Sequence, residues 1–330
     1  KAIRRQRQMC IRDSFKSNPS RAKTKYATPY RLYDTEKFAA DYTYAGHDLG
    51  VTYTKEATTF KVWAPTSARV RLYLYDYGTP QSLASKDDPN YAQLDYRLVY
   101  TLDYLGDGVF AKTVEGDLEG KFYQFNLYYD ETSHLSIDPY AKASGINGIR
   151  GAIIDFDKTD PEGWDDVSFD PLHSPNDLTV YEAHVRDFTI DETWNTRNKD
   201  VKRGTYRAFV EPGTTYNGVT TGFDSLKELG VNAAQILPIF DQDNEERTYD
   251  TFDSDGNLIS HYEPTYNWGY NPENYNIPEG MYSSDPYDPY CRIRELKYMI
   301  MELSKAGMRT IMDVVYNHVS SVASLSLIHI

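Results

Sequence analysis

Three near-continuous apolar stretches in the second half of the chain, separated by segments of helical period, leave few folds open. LTVYEAHVRDF (Leu178–Phe188), VNAAQILPIF (Val231–Phe240) and MRTIMDVVYNHV (Met308–Val319) each read as a buried strand. A strand that is apolar on both faces must be covered on both, which is the mark of a parallel sheet wrapped by helices. Between the first two lies GFDSLKELG (Gly222–Gly230), with Phe223, Leu226 and Leu229 at helical spacing and Gly230 as its stop. Before the third, Asp288 and Pro289 offer an N-cap and a first-turn proline. The helix they open carries Ile293, Leu296, Ile300 and Leu303 on one face and stops at Gly307. The connections after the first two strands are long and rich in aromatics and Asp, which favours a (β/α)8 barrel, whose loops build the site, over a doubly wound open sheet. No GxGxxG follows any of the three strands, so dinucleotide binding has no support. A whole barrel takes about 250 residues. Residues 178–324 hold three strands and are therefore expected to form the first three β/α units only.

The first half has a different rhythm. TTFKVWAP (Thr58–Pro65), RVRLYLY (Arg69–Tyr75), RLVYTL (Arg97–Leu102), GVFAKTV (Gly108–Val114) and KFYQFNLYY (Lys121–Tyr129) are short runs of strand-forming residues separated by Gly, Asp and Pro turns. This predicts an antiparallel β-sandwich over residues 48–135, preceded by a short segment, 26–47. The Gly-rich stretch SIDPYAKASGINGIRGAIID and the Pro/Asp-rich run after it read as a linker, 136–177.

Composition narrows the function. With 49 acidic against 35 basic side chains the net charge is −14, which repels a phosphate backbone and argues against a nucleic-acid partner. No apolar run is long enough to span a membrane, so no membrane partner is expected. The two cysteines, Cys10 and Cys291, lie too far apart to suggest a disulfide framework. Thirty tyrosines suit a neutral, hydroxyl-rimmed ligand such as a sugar, although tyrosine also fills β-sheets well. KAIRRQRQMCIRDS (1–14) and the last residues, 325–330, lack periodic or turn logic linking them to their neighbours, and are read as a non-native leader and tail. Cytoplasmic and secreted locations stay equally open.

Chemistry gathers at two places. Asp313, Asn317 and His318 stand at the end of the third apolar strand, where a buried carboxylate needs a partner or a task. A structural Asp held by an Arg is the plainer alternative. PTYNWGYNPENYNIPEGMYSSDPYDPY (Pro264–Tyr290), with no strand or helix period, reads as a stiff aromatic loop at the barrel mouth. It equally suits a wall for a sugar or an excursion packing its own aromatics. Glu182, His184 and Arg186 share one strand parity and are expected to pair among themselves.

DVVYNHV resembles the first signature region of the α-amylase superfamily, glycoside hydrolase family thirteen, and YNWGYNP (Tyr266–Pro272) resembles the signature of type I pullulanases. TTFKVWAPTSARVRLYLY resembles the starch-associated family forty-eight sandwich that precedes such barrels. The likeness covers roughly 42–319. It implies hydrolysis of α-1,6 branch linkages in pullulan, amylopectin or limit dextrins with retention of configuration, by a nucleophile Asp, an acid Glu and a stabilising Asp. Those follow later barrel strands, so none is expected in this chain, which is expected to hydrolyse nothing and to fold poorly past Leu178. The resemblance implies an α-glucan partner and no required cofactor, with His318 hydrogen-bonding the sugar at the cleavage point, Tyr270 stacking on it, Asp313 orienting the network and Trp268 shaping the loop. Asn317 matches a position that holds calcium in some relatives, and Asn271 stands where many relatives have Asp. An isoamylase or branching-type enzyme and a non-catalytic glycan-binding module are the alternatives.

Overall fold

Strict alternation builds the first domain. In ATTFKVW and RVRLYLY every second side chain is buried, so each strand contributes one face to a shared core. The structure, a computed structural model, describes residues 10–13, 23–26, 34–129, 132–169, 171–196, 198–252, 258–264 and 267–318. The rest of the leader and the whole tail 325–330 lie outside these; Cys10–Asp13 pairs antiparallel with Lys23–Tyr26. The sandwich strands are β1 (Gly50–Tyr53), β2 (Ala57–Trp63), β3 (Arg69–Tyr75), β4 (Arg97–Thr101), β5 (Asp103–Gly106), β6 (Val109–Glu115), β7 (Phe122–Tyr129) and β8 (Thr132–Ser136). One antiparallel sheet runs β1-β2-β6-β5 and the other β8-β7-β3-β4, with Gly151–Ala152 added beside β7 as β9. Phe60, Val62, Leu72, Phe110, Phe125 and Leu127 meet between them. Each such side chain is worth roughly 1.5–3 kcal/mol when fully buried.

Two features of this half were not legible in the sequence. Helix α1 (Glu36–Tyr42) is capped by the Thr35 hydroxyl and buries only Phe38, too little for a helical stripe to show. The segment read as linker is in part built into the sandwich. Arg150 is buried against it, donating to the carbonyls of Tyr77 and Leu94, pairing with Asp95 and lying 3.8 Å from the Tyr75 ring centre.

The second half holds the parallel sheet, in the order β10 (Val180–Ala183), β11 (Ala233–Ile236), β16 (Arg309–Met312). Val180 is level with Ala233, and Ala233 with Arg309. α3 (Gly222–Glu228) covers the sheet with Phe223 and Leu226, and α4 (Pro289–Lys305) with Met299 and Leu303; Tyr206 and Phe209 of the short α2 (Tyr206–Phe209) join them. Asp288 caps α4 through the Tyr290 amide with Pro289 in its first turn, as its sequence predicts.

The strands differ from expectation in length and burial. Only the central β11 is buried along most of its length, while β10 and β16 are largely exposed or half-buried. Among the described residues each of these has a strand neighbour on one side only, which leaves its other edge without a covering strand. The second apolar run also splits at Pro238. Phe240–Gln242 (β12) leaves the parallel sheet and pairs antiparallel with Pro272–Pro278 (β15), inside the stretch read as loop. Prolines at both ends of β15 and an irregular register hid that strand, since proline is tolerated at a strand's limits and not in its middle. β13 (Tyr249–Phe252) and β14 (Leu258–Tyr262) form a hairpin between them.

Candidate functional site

The end of β16 and the stretch before β15 meet at the C-terminal edge of the parallel sheet, the edge on which barrel enzymes build their sites. Asp313 follows β16 directly and its amide donates to the carbonyl of Ile236, the last residue of β11. Its Oδ2 accepts a 2.6 Å hydrogen bond from the Tyr270 hydroxyl. That bond to a carboxylate, followed by burial, pushes the phenol up to about 12. His318 Nε2 lies 2.7 Å from the Tyr270 carbonyl oxygen. A carbonyl only accepts, so Nε2 carries the proton and donates. Tyr275 of β15 reaches the His318 carbonyl and lies beside Tyr316, with ring centres 5.5 Å apart.

Tyr270, Asp313 and His318 thus converge. Asp313 is half-buried rather than buried, and its partner is a tyrosine rather than an arginine, which corrects the expectation of a carboxylate sunk in the strand. Trp268 stands 61% exposed two residues from Tyr270, and Asn317 is exposed. Tyr266 of the YNWGYNP stretch lies outside the described residues. Tyr275 is the residue that sequence reading missed, because nothing distinguishes it from the other tyrosines of that stretch. Glu182, His184 and Arg186 do not pair with one another. Glu182 accepts from Gln235, His184 bonds Tyr282 at 3.0 Å, and Arg186 pairs with Asp187.

Gly269 explains how Tyr270 is aimed. Its φ of +83° lies in the left-handed region, and a Cβ there would stand 2.8 Å from the Pro238 carbonyl oxygen and 2.9 Å from Gln242 Nε2. Only glycine lets the chain pass so close to the end of the β11–β12 segment.

Beneath this loop lies a second polar cluster. Asp241, Glu246 and Glu279 bring carboxylate oxygens within 4.8 Å of one another, all buried. Arg292 of α4, with no exposed surface, supplies the cation. Its two terminal nitrogens each reach a Glu246 oxygen at 3.0 Å, and one lies 3.5 Å from Asp241 Oδ1. The Arg292 guanidinium thus lies against two of the three carboxylates, Glu246 and Asp241. Around Asn317, the residue implied to hold calcium, no group of three acidic, His or Cys ligands gathers among the described residues, whereas Ca²⁺ takes 6–8 oxygens.

Three carboxylates against one guanidinium leave excess negative charge. Burial and then the Glu246 charge push Glu279 up to about 8, and burial likewise raises Glu273 to about 7 and Asp138, in the sandwich, to about 6. Their unfolded values are near 4, so between pH 5 and 8 the folded chain binds more protons than the unfolded one. Stability contributed by these groups is present below about pH 4 and is lost as pH rises through 6 to 8. Denaturant midpoints should therefore fall from pH 5 to pH 8; a flat or rising series contradicts this.

Residues 155–325 match the family described as alpha amylase, catalytic domain, and residues 48–141 match carbohydrate-binding module 48, the isoamylase N-terminal domain. A pullulanase of Bacillus subtilis is 37% identical over 290 residues, covering 86% of this chain and 35% of that protein. A chloroplastic isoamylase 3 of rice, Oryza sativa, is 34% identical over 198 residues, covering 57% of this chain and 23% of that protein. Among solved structures, the pullulanase of Paenibacillus barengoltzii in complex with maltohexaose and alpha-cyclodextrin superposes with a TM-score of 0.75 at 38% identity, over 89% of this chain and 41% of that one. The chain spans about a third of the length of the Bacillus relative. The parallel sheet with its helices, the convergence at its C-terminal edge and the match over more than half of the residues together show that the chain belongs to the α-amylase family, with a family forty-eight carbohydrate-binding sandwich ahead of its catalytic domain.

Proposed function

We propose that the parent protein to which this chain belongs hydrolyses α-1,6-glucosidic branch linkages in pullulan, amylopectin or limit dextrins with retention of configuration, and that residues 178–318 form one wall of its sugar site. The observation that carries this is Tyr270, tied to Asp313 through its hydroxyl and to His318 through its carbonyl at the sheet's C-terminal edge. A tyrosine fixed at both ends presents its ring face at little entropic cost, which suits stacking on the apolar face of a glucose unit. His318, held through Nε2, hydrogen-bonds the same sugar through its other ring nitrogen. Asp313 holds the tyrosine, and exposed Trp268 extends the aromatic wall. The names of the pullulanase relatives support the α-1,6 choice. The rice isoamylase likeness keeps isoamylase-type debranching as the second reading.

Retaining glycosidases need two accessible carboxyls about 5–5.5 Å apart. Asp241, Glu246 and Glu279, the carboxylates brought close among the described residues, are buried, and the reading is that this chain by itself binds glucan without cleaving it. The 330-residue chain should bind maltohexaose by calorimetry. Tyr270→Ala should weaken binding at least tenfold. Tyr270→Phe keeps the ring and loses only the hydroxyl's bond to Asp313, so it should weaken binding less than Tyr270→Ala. Unchanged affinity in Tyr270→Ala removes the site assignment, and release of reducing ends from pullulan by the purified chain removes the claim that it only binds.

A further inference from the structure

The connection between the two domains reaches the cluster under the Tyr270 loop. Asn147 makes a reciprocal pair of bonds with Glu246: its amide donates to Glu246 Oε2 at 2.7 Å, and its Oδ1 accepts from the Glu246 amide at 3.0 Å. The neighbouring Gly148 carbonyl accepts from Asn274 of β15, whose side-chain amide also donates to Asp241 at 2.6 Å. Arg292 donates to the Gly145 carbonyl at 3.4 Å while it grips Glu246. Three positions of the connection, Gly145, Asn147 and Gly148, are thus tied to the base of the β12–β15 pair.

That pair carries the site loop. The Glu279 carboxylate accepts from the Gln242 amide at 3.0 Å, the Gln242 side chain donates to the Pro238 carbonyl, and Gly269 rests on both Gln242 and Pro238. The Asp243 amide donates to the Asn271 carbonyl at 3.0 Å, closing the loop on the other side of Tyr270. From Asn147, itself half-buried, the path passes to the buried Glu246, whose Oε1 accepts from the Gly280 amide at 2.9 Å, next to Glu279, and from there through Gln242 and Pro238 to Gly269 and Tyr270. At its buried steps a hydrogen bond has no water to replace it and holds its partner firmly.

We propose that Asn147 is a positioning residue for the Tyr270 loop, so that the seating of the connection between the domains sets the geometry of the sugar-facing wall. The coupling is a property of this fold; its consequence for glucan rests on the reading of Tyr270 given above. Asn147 has a φ of +53°, which glycine adopts without strain, so Asn147→Gly removes the side-chain acceptor for the Glu246 amide and leaves the backbone path intact. Asn217, at φ +49° between the short strands Thr215–Tyr216 and Val219–Thr220, allows a matched Asn217→Gly at a residue outside the cluster.

The test is ¹⁹F NMR of the full chain labelled with 5-fluorotryptophan, without sugar. Four tryptophans give four resonances, and Trp268→Phe identifies the one beside Tyr270. Asn147→Gly should shift or broaden the Trp268 resonance, and Asn217→Gly should leave it in place. An unmoved Trp268 resonance in folded Asn147→Gly overturns the proposal. If that variant does not fold, native-state hydrogen exchange of the unaltered chain decides: the Glu246 and Gly269 amides should open with the same denaturant dependence, and independent opening overturns the coupling. Maltohexaose calorimetry is the separate arm. Asn147→Gly should raise Kd at least fivefold, and failure of the unaltered chain to bind while the resonance still moves sinks the sugar-site reading and leaves the coupling standing.

Discussion

Replacing Arg292 by methionine should cost about 3–5 kcal/mol, the range found when one partner of a buried ion pair is removed and the other stays. The substitution keeps much of the side-chain length and takes away the positive charge that faces Asp241, Glu246 and Glu279. Glu246 loses both of its 3.0 Å guanidinium contacts, and the carbonyls of Pro286 and Pro278 lose a donor at 2.9 and 3.3 Å. Domains are stable by only about 5–15 kcal/mol in total, so a large share is at risk. The deficit should shrink as pH falls from 8 to 5, because protonation of the orphaned carboxyls removes the charge that the arginine balanced. Denaturant unfolding at both pH values measures this, and a deficit below about 1 kcal/mol, equal at both, contradicts the account.

Gly148→Ala should be nearly as damaging, for a reason that combines conformation with space. Gly148 has a φ of +61°, where an L-residue costs roughly 1–2 kcal/mol, and a Cβ there would lie 2.1 Å from Asp241 Oδ2 and 2.5 Å from Asn274 Nδ2. Neither atom belongs to a free side-chain end, because the two are bonded to each other at 2.6 Å inside the protein. Forcing them apart adds roughly 1–3 kcal/mol, for a total of about 3 kcal/mol. Gly213→Ala is the control, since Gly213 has a φ of +75° and nothing within 4 Å of its added Cβ. Its loss should stay near the conformational part alone. Equal losses at the two positions would falsify the steric argument.

Local pattern carried much of the fold. The five strand-forming runs between Thr58 and Tyr129 became β2, β3, β4, β6 and β7 within one or two residues, and Gly222–Gly230 and Pro289–Lys305 became helices, the second with the Asp288 cap its sequence announces. These are features whose cause lies within a few residues: a period of two or 3.6, a capping Asp, a proline in a first turn. The resemblance in YNWGYNP and DVVYNHV named Tyr270, Asp313 and His318 without showing that they touch.

What escaped the sequence depends on partners far along the chain. β15 is a strand because Phe240–Gln242 lies beside it, and its own prolines conceal that. β10 and β16 are exposed although their residues are apolar, because burial depends on what packs against them. Arg292, beside the apolar helix position Ile293, is fully buried, since its counter-charges come from residues 241 and 246. Asn147 lies in the stretch read as linker, and its bond to Glu246 joins positions 99 apart. The sequence by itself determined the alternation, the caps and the turns, which are settled by backbone sterics and neighbouring side chains. The tertiary structure decided which charges are buried, which strands are covered and which loop Asn147 holds, because desolvation and pairing are properties of a three-dimensional neighbourhood that residue order does not contain.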